Sequence, residues 1–159
     1  MTSRGLQAEL KQTKPFRSLE EEAHLNIART AAVLEHALSQ ALKPYDITPT
    51  QYNVLRILRG AGPDGLCRNE VGERLVTRVP DVTRLLDRME DLGLLARERG
   101  SADRRYVTTR ITDEGLRVLE RLDGEICRIH RSQLGHLNKQ HLRDLIDLLT
   151  EVRGAGSGD

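Results

Sequence analysis

The chain has no tryptophan, one phenylalanine and three tyrosines. A core built without large aromatic groups must come from small aliphatic side chains, which suits packed helices. No run of about 18 apolar residues occurs, so no membrane span is expected. The N-terminal stretch is polar through Arg17 and holds no apolar signal segment, so a cytoplasmic location is expected. Cysteine is nearly absent. Cys67 and Cys127 stand 60 residues apart, which fits neither metal-ligand spacing nor a disulfide framework, and both thiols are expected to be reduced. Five histidines (His24, His36, His130, His136, His141) include no H-x3-H pair, and His136 and His141, five apart, suit one helix face poorly. No metal site and no cofactor is expected. G-x-S-x-G, P-loop and H-E-x-x-H patterns are missing, so no catalytic residue is assigned and an enzyme is not expected.

Strong net charge is missing too: the formal value is +1, so bulk electrostatics do not announce nucleic acid. The make-up of the positive charge says more, with 21 Arg against 4 Lys. Arginine offers a planar fork suited to phosphates and guanine edges. Base-composition bias in the source genome is the alternative reading.

What is present is a series of amphipathic segments. Residues 1–17 read as a flexible arm. Ser18 opens a capping box with Glu21, and Leu19, Ala23, Ile27, Ala31, Leu34, Leu38 and Leu42 follow at spacings of three and four, to an end near Pro44. Thr48-Pro49-Thr50-Gln51 opens a second helix with Tyr52, Val54, Leu55 and Leu58 on its apolar face. A short helix follows over about 68–75. The next is expected over about 79–92, with Pro80 in its first turn and Val82, Leu85, Leu86, Met89 and Leu92 as its stripe; Gly93 ends it. Leu94–Arg99 and Tyr106–Ile111 read as paired strands, Val107, Thr109 and Ile111 facing one side. A long helix from Thr112 to about Leu134 places Cys127 among its apolar residues, and Asn138 caps a last helix with Leu142, Leu145, Ile146, Leu148, Leu149 and Val152. Residues 154–159 read as a disordered tail.

On the helix after Pro80, Asp81, Arg84 and Arg88 share a face opposite the apolar stripe, with Thr83 at its margin. Apolar residues can anchor such a helix while long donors reach base edges and phosphates. Arg84 suits guanine and Arg88 a phosphate; Asp81 can accept from cytosine or favour the helix dipole. In the hairpin tip, Asp103 can orient Arg105 bidentately toward a narrow minor groove, while Arg99 and Arg104 suit phosphates. A solvated helix face and a solubilising hairpin tip are the bland alternatives. Between Arg68 and Arg110 there are ten Arg and eight acids, so binding must rest on sidedness and fall steeply with salt.

The order of these pieces resembles the MarR family of bacterial transcription regulators. The resemblance covers roughly Ser18 to Arg153 and rests on three segments. Ile47–Tyr52 is similar to the opening of the family's second helix, Asp81–Glu90 to its recognition helix, and Asp103–Arg105 with Arg110–Gly115 to its wing tip and the return into the dimer helix. It implies a mainly α fold with a small β-hairpin wing: a winged helix-turn-helix over residues 18–153, with a DNA-binding lobe at about 47–112. Dimerisation helices are implied at about 18–43 and 113–152. It also implies a homodimer on a pseudo-palindromic double-stranded operator, commonly a repressor released by a small ligand, aromatic or anionic, held near His24, Arg29, Tyr52 and Arg56. Arg78, in the turn before the recognition helix, counts with the DNA-binding residues. The segment Arg78-Val79-Pro80-Asp81 departs from the small polar residue that many members place there, so base preferences do not carry over. Two other readings stand beside this one: a thiol-redox regulator using Cys67 or Cys127, and a dimeric interaction module that no longer binds DNA. The apolar faces of the first and last helices exceed what the central module can cover, so sedimentation is expected to give a dimer; a stable monomer overturns that.

Overall fold

The structure is a computed structural model that describes residues 5–101, 103 and 105–155. Among these residues seven α-helices and one hairpin follow in the order α1 (Leu6–Glu9), α2 (Leu19–Leu42), α3 (Pro49–Ala61), α4 (Arg68–Arg74), α5 (Val82–Asp91), β1 (Leu95–Arg99), β2 (Val107–Ile111), α6 (Asp113–Leu134) and α7 (Lys139–Ala155). The fold is therefore mainly α with a two-stranded wing. Short 3₁₀ turns at Lys43–Tyr45 and Gly62–Asp64 follow α2 and α3.

Local chemistry sets the boundaries. In α3 the Thr48 N–H donates to Gln51 Oε1 at 2.9 Å and Gln51 N–H returns to Thr48 Oγ1 at 3.2 Å, a reciprocal capping box. At α4 the Cys67 N–H donates to the Glu70 carboxylate at 2.7 Å. The start of α5 corrects the sequence reading. Asp81 is the N-cap, accepting from Arg84 N–H at 2.9 Å, so Pro80 precedes the helix rather than occupying its first turn. A carboxylate that accepts from the third residue on fixes the first turn more strongly than the φ preference of proline. α5 ends in a Schellman arrangement, Gly93 N–H to Glu90 C=O and Leu94 N–H to Met89 C=O, with Gly93 at φ +73°.

The strands pair antiparallel, Leu95 opposite Ile111 and Arg99 opposite Val107. Leu66 adds a one-residue bridge to Thr109, with hydrogen bonds of 3.0 and 2.8 Å, on the other side of β2. Thr112 caps α6 through Gly115 N–H and donates its hydroxyl to Gly93 C=O at 2.6 Å, so the end of α5 and the start of α6 are tied at one residue.

The core lies inside the lobe and reaches into the roots of the flanking helices. Leu42, Val54, Leu55, Leu58, Val71, Leu86, Met89, Leu95, Leu119 and Leu122 are buried in it. Leu92, expected in the stripe of α5, is half exposed at the helix end, where the chain turns at Gly93. Cys127 is exposed rather than among apolar neighbours, because the buried stripe of α6 runs Val118, Leu119, Leu122, Ile126 and leaves the next position turned away. Cys67 is half-buried.

Outside the lobe, apolar side chains meet solvent. Leu19, Ile27 and Val33 on α2 are exposed, as are Leu145, Ile146, Leu148 and Val152 on α7. The expected arm is not without structure: Leu6 is buried at the one-turn helix α1, and Glu9 approaches Arg29 of α2 at 3.9 Å. The expected tail begins inside α7, which continues to Ala155; residues 156–159 lie outside the described residues.

Gly115 is the tightest junction between lobe and long helix: a Cβ there would meet the Leu94 carbonyl, Ile111 Cγ1 at 2.7 Å and Leu55 Cδ2 at 3.2 Å. Gly115→Ala is expected to lower unfolding free energy by about 1–3 kcal/mol, read from the urea midpoint at constant slope.

Candidate nucleic-acid interface and the adjoining cavity

α5 buries Leu86 and Met89 and leaves Thr83, Arg84, Asp87 and Arg88 exposed on the opposite side. Among the described residues, neither the Arg84 nor the Arg88 side chain has a hydrogen-bond or ion-pair partner, so both guanidinium groups are presented to solvent. Thr83 is engaged laterally: its hydroxyl accepts from Arg68 Nη1 of α4 at 3.2 Å. The cap at the start of α5 uses Asp81 Oδ1, which favours the helix-terminus role for this carboxylate over a base contact. Arg78, in the turn before α5, is exposed, as is Arg99 at the end of β1.

The wing tip differs in one respect from the geometry expected. Arg105 reaches Asp103 through Nε alone, at 3.4 Å, and the same oxygen accepts the Arg105 backbone N–H at 2.9 Å. The contact is not bidentate, because the carboxylate is spent on closing the turn and one oxygen serves both donors. Arg105 is consequently 93% exposed. Arg104 lies outside the described residues.

A residue that sequence reasoning missed joins helix and wing. Arg97 of β1 sends Nη2 to Asp87 Oδ1 and to Glu90 Oε2, each at 2.6 Å, and Nε to Glu90 at 3.0 Å; its backbone N–H also donates to Glu90. A signal for it was available. Alternation puts Arg97 on the inward face with Leu95, and an inward arginine needs a carboxylate, while Asp87 and Glu90 stand one helical turn apart. On the other face of the hairpin, Arg110 bonds Glu98 at 2.7 Å and the Pro63 carbonyl at 2.6 Å, anchoring β2 to the loop after α3.

Behind this surface, a cavity of about 500 Å³ opens between α2, α3, α6 and the turn after α4. Tyr52, Arg56, Asn53, His130, Glu35 and Val76 are on its wall. Of the four residues expected to hold a ligand, the structure brings Tyr52 and Arg56 together there. His24 and Arg29 are not on the wall: they lie earlier on α2, where the chain has moved away from the lobe and Arg29 faces Glu9. Asn53, His130 and Glu35 were not foreseen, since only packing of α6 against α2 and α3 brings them to one space. Beside the cavity, Arg59 of α3 and Asp123 of α6 pair through two hydrogen bonds of 2.8 and 3.1 Å.

The MarR family model matches residues 45–105, the segment that carries α3 to the wing tip. The chain is 32% identical over 112 residues to the uncharacterized HTH-type transcriptional regulator YkoM of Bacillus subtilis, covering 67% of this chain and 71% of that protein. The chain belongs to the MarR family. A MarR transcription factor from Planctomyces limnophilus is 37% identical, with a TM-score of 0.66 over 86% of this chain and 98% of that one. BpsR of Bordetella bronchiseptica, whose DNA binding is regulated by 6-hydroxynicotinic acid, is 25% identical, with a TM-score of 0.75 over 92% of this chain and all of that one. The chain is thus a MarR-family DNA-binding transcription regulator, in a family of regulators rather than enzymes. Among the described residues, no helix is long and apolar enough to cross a membrane, and no group of three or more His, Cys, Asp or Glu is placed to hold a metal.

Within this MarR-family lobe, the helix–wing joint is sensitive to acid. Hydrogen bonds from the Arg97 guanidinium hold the Glu90 carboxyl below its ordinary value of 4.5, against a smaller opposing effect of burial. A carboxyl whose folded pKa is depressed contributes stability above its unfolded pKa, and that contribution is lost as pH falls through the folded value. Stability of the wild type is therefore expected to decline as pH drops below about 4.5 more than that of Glu90→Gln, which has no such proton to take up. Urea titrations of both proteins at stepped pH check this, and parallel pH curves contradict it.

Proposed function

We propose that this chain is a cytoplasmic repressor that binds a pseudo-palindromic operator as a homodimer and is released by a small aromatic or anionic ligand. The observation that carries this reading is the pairing of two outward arginines on α5, Arg84 and Arg88, with the exposed Arg105 at the wing tip, on one lobe held rigid by Arg97. On this reading α5 lies in the major groove. Arg84 and Thr83 read base edges, Arg88, Arg78 and Arg99 take phosphates, and Arg105 enters the minor groove. Arg104 joins the phosphate contacts on sequence grounds alone.

One lobe offers a small reading surface and little excess charge. Two lobes set one helical turn apart, ~34–36 Å, would double it. The exposed apolar residues of α2 and α7 supply the surface on which a second copy would pack, exchanging contact in both directions as a two-fold pair does. The cavity supports the ligand half of the reading. It sits where the dimer helices meet the lobe, Tyr52 offers a ring, and Arg56 and His130 are donors for an anion. A ligand that fits one lobe position better than another shifts the dimer between geometries by its difference in affinity for the two.

The test is fluorescence anisotropy with duplexes that tile the DNA flanking the gene, searched for an inverted repeat, over a salt series. Arg84→Ala is expected to weaken binding by about 1–3 kcal/mol and relax the base preference at one position of each half-site. Arg88→Ala should weaken all sequences alike and reduce the salt slope by about 1. Addition of 6-hydroxynicotinic acid, as an aromatic anion, is expected to release the wild type, and Arg56→Ala to blunt that release. Absence of duplex binding at low salt overturns the operator reading.

A further inference from the structure

The turn that delivers α5 to its position has little of its own to hold it. α4 ends at Arg74 and α5 starts at Val82. Leu75 and Val79 are drawn toward the core, but between them Val76, Thr77 and Arg78 are exposed, Val76 at 88%. Among the described residues, positions 76–80 make no backbone–backbone hydrogen bond outside helices and strands. They donate one hydrogen bond to a side chain: Asn53 Oδ1 of α3 accepts the Val76 N–H at 2.9 Å. That bond closes over 23 residues and ties the exit from α4 to α3, whose N-terminus carries the Thr48–Gln51 capping box.

Asn53 is also a wall residue of the cavity, as are Val76 and Thr77. The same side chain therefore faces the cavity on one side and holds the start of the α4–α5 turn on the other. We propose that Asn53 is the positioning residue that sets the recognition helix from the cavity side, by fixing the Val76 amide through its carbonyl oxygen. This rests on the reading of α5 as the groove helix. Asn53 touches no DNA in that arrangement; it limits the range of directions in which the chain leaves α4, and with it the spread of positions at Asp81, where α5 is capped. An occupant of the cavity that hydrogen-bonds to the Asn53 amide and turns it draws the oxygen from Val76 and loosens α5. A sequence with alanine at 53 would keep the cavity and the arginines and lose this restraint.

The chemistry separates positioning from mere packing, because aspartate keeps the acceptor and alanine does not. In the full-length chain, Asn53→Ala is expected to raise hydrogen exchange at the Val76 amide by roughly tenfold and to weaken operator binding by about tenfold, with no ligand added. Exchange at α6 core amides such as Leu119 and Leu122 should stay as in the wild type. Asn53→Asp is expected to restore Val76 protection and to bind within about threefold of the wild type at moderate salt. Wild-type affinity in Asn53→Ala overturns the proposal, and so does weakened binding with Val76 exchange unchanged. If the wild-type chain binds no duplex at all, the groove reading of α5 fails on its own; Val76 exchange in the two variants then still decides whether Asn53 holds the turn, equal exchange in both overturning it.

Discussion

Arg97 stands between α5 and the wing, and the candidate interface has a defined shape because of it. A two-stranded hairpin alone is marginally stable in water and has no preferred angle to a neighbouring helix. The Arg97 guanidinium, held by Asp87 and Glu90 while the backbone N–H also donates to Glu90, sets that angle from within the sheet itself. The opposite side of the hairpin is fixed by the Leu66 bridge and by Arg110. With both faces tied, the wing tip projects from a rigid base, and Arg105 is placed without needing a strong contact of its own.

The exposed charges of α5 follow from the same arrangement. Asp87 and Glu90 are acids on the helix that carries Arg84 and Arg88, and left unpaired they would cancel much of its positive field. Arg97 pairs with both from the wing side and offsets one of their two charges, while the Arg84 and Arg88 guanidinium groups have no partner among the described residues. A region with a small formal excess of positive charge thus becomes sided. That is a better basis for anion binding than net charge, since interactions beyond a Debye length of about 8 Å are screened in physiological salt.

Most elements were legible in the sequence because their signals are local. The capping box of α3, the Gly93 stop, the strand β2 and the cap of α6 at Thr112 each depend on residues within a few positions of one another, and each is found as expected, although in β2 only Thr109 is buried. The start of α5 was misplaced because two start signals competed, and the carboxylate of Asp81 outweighed the ring of Pro80. Cys127 was misplaced because an apolar neighbourhood in sequence is not one in space when a helix buries a single stripe. The four residues expected near a ligand are divided for a related reason: Tyr52 and Arg56 share one face of α3 and line the cavity, whereas His24 and Arg29 stand earlier on α2 and do not line it.

By itself the sequence determined the element order, the caps, the family and the arginines that point outward, all of which follow from spacing along one chain. Only the tertiary structure decided that Arg97 belongs to Asp87 and Glu90, that Asn53 holds Val76, and that His130 and Glu35 meet Arg56 around one cavity. These pairings join residues from 7 to more than 20 positions apart. Spacing along the chain can suggest a candidate, as the inward position of Arg97 does, but the partners depend on the angle at which helices and hairpin pack around a shared core.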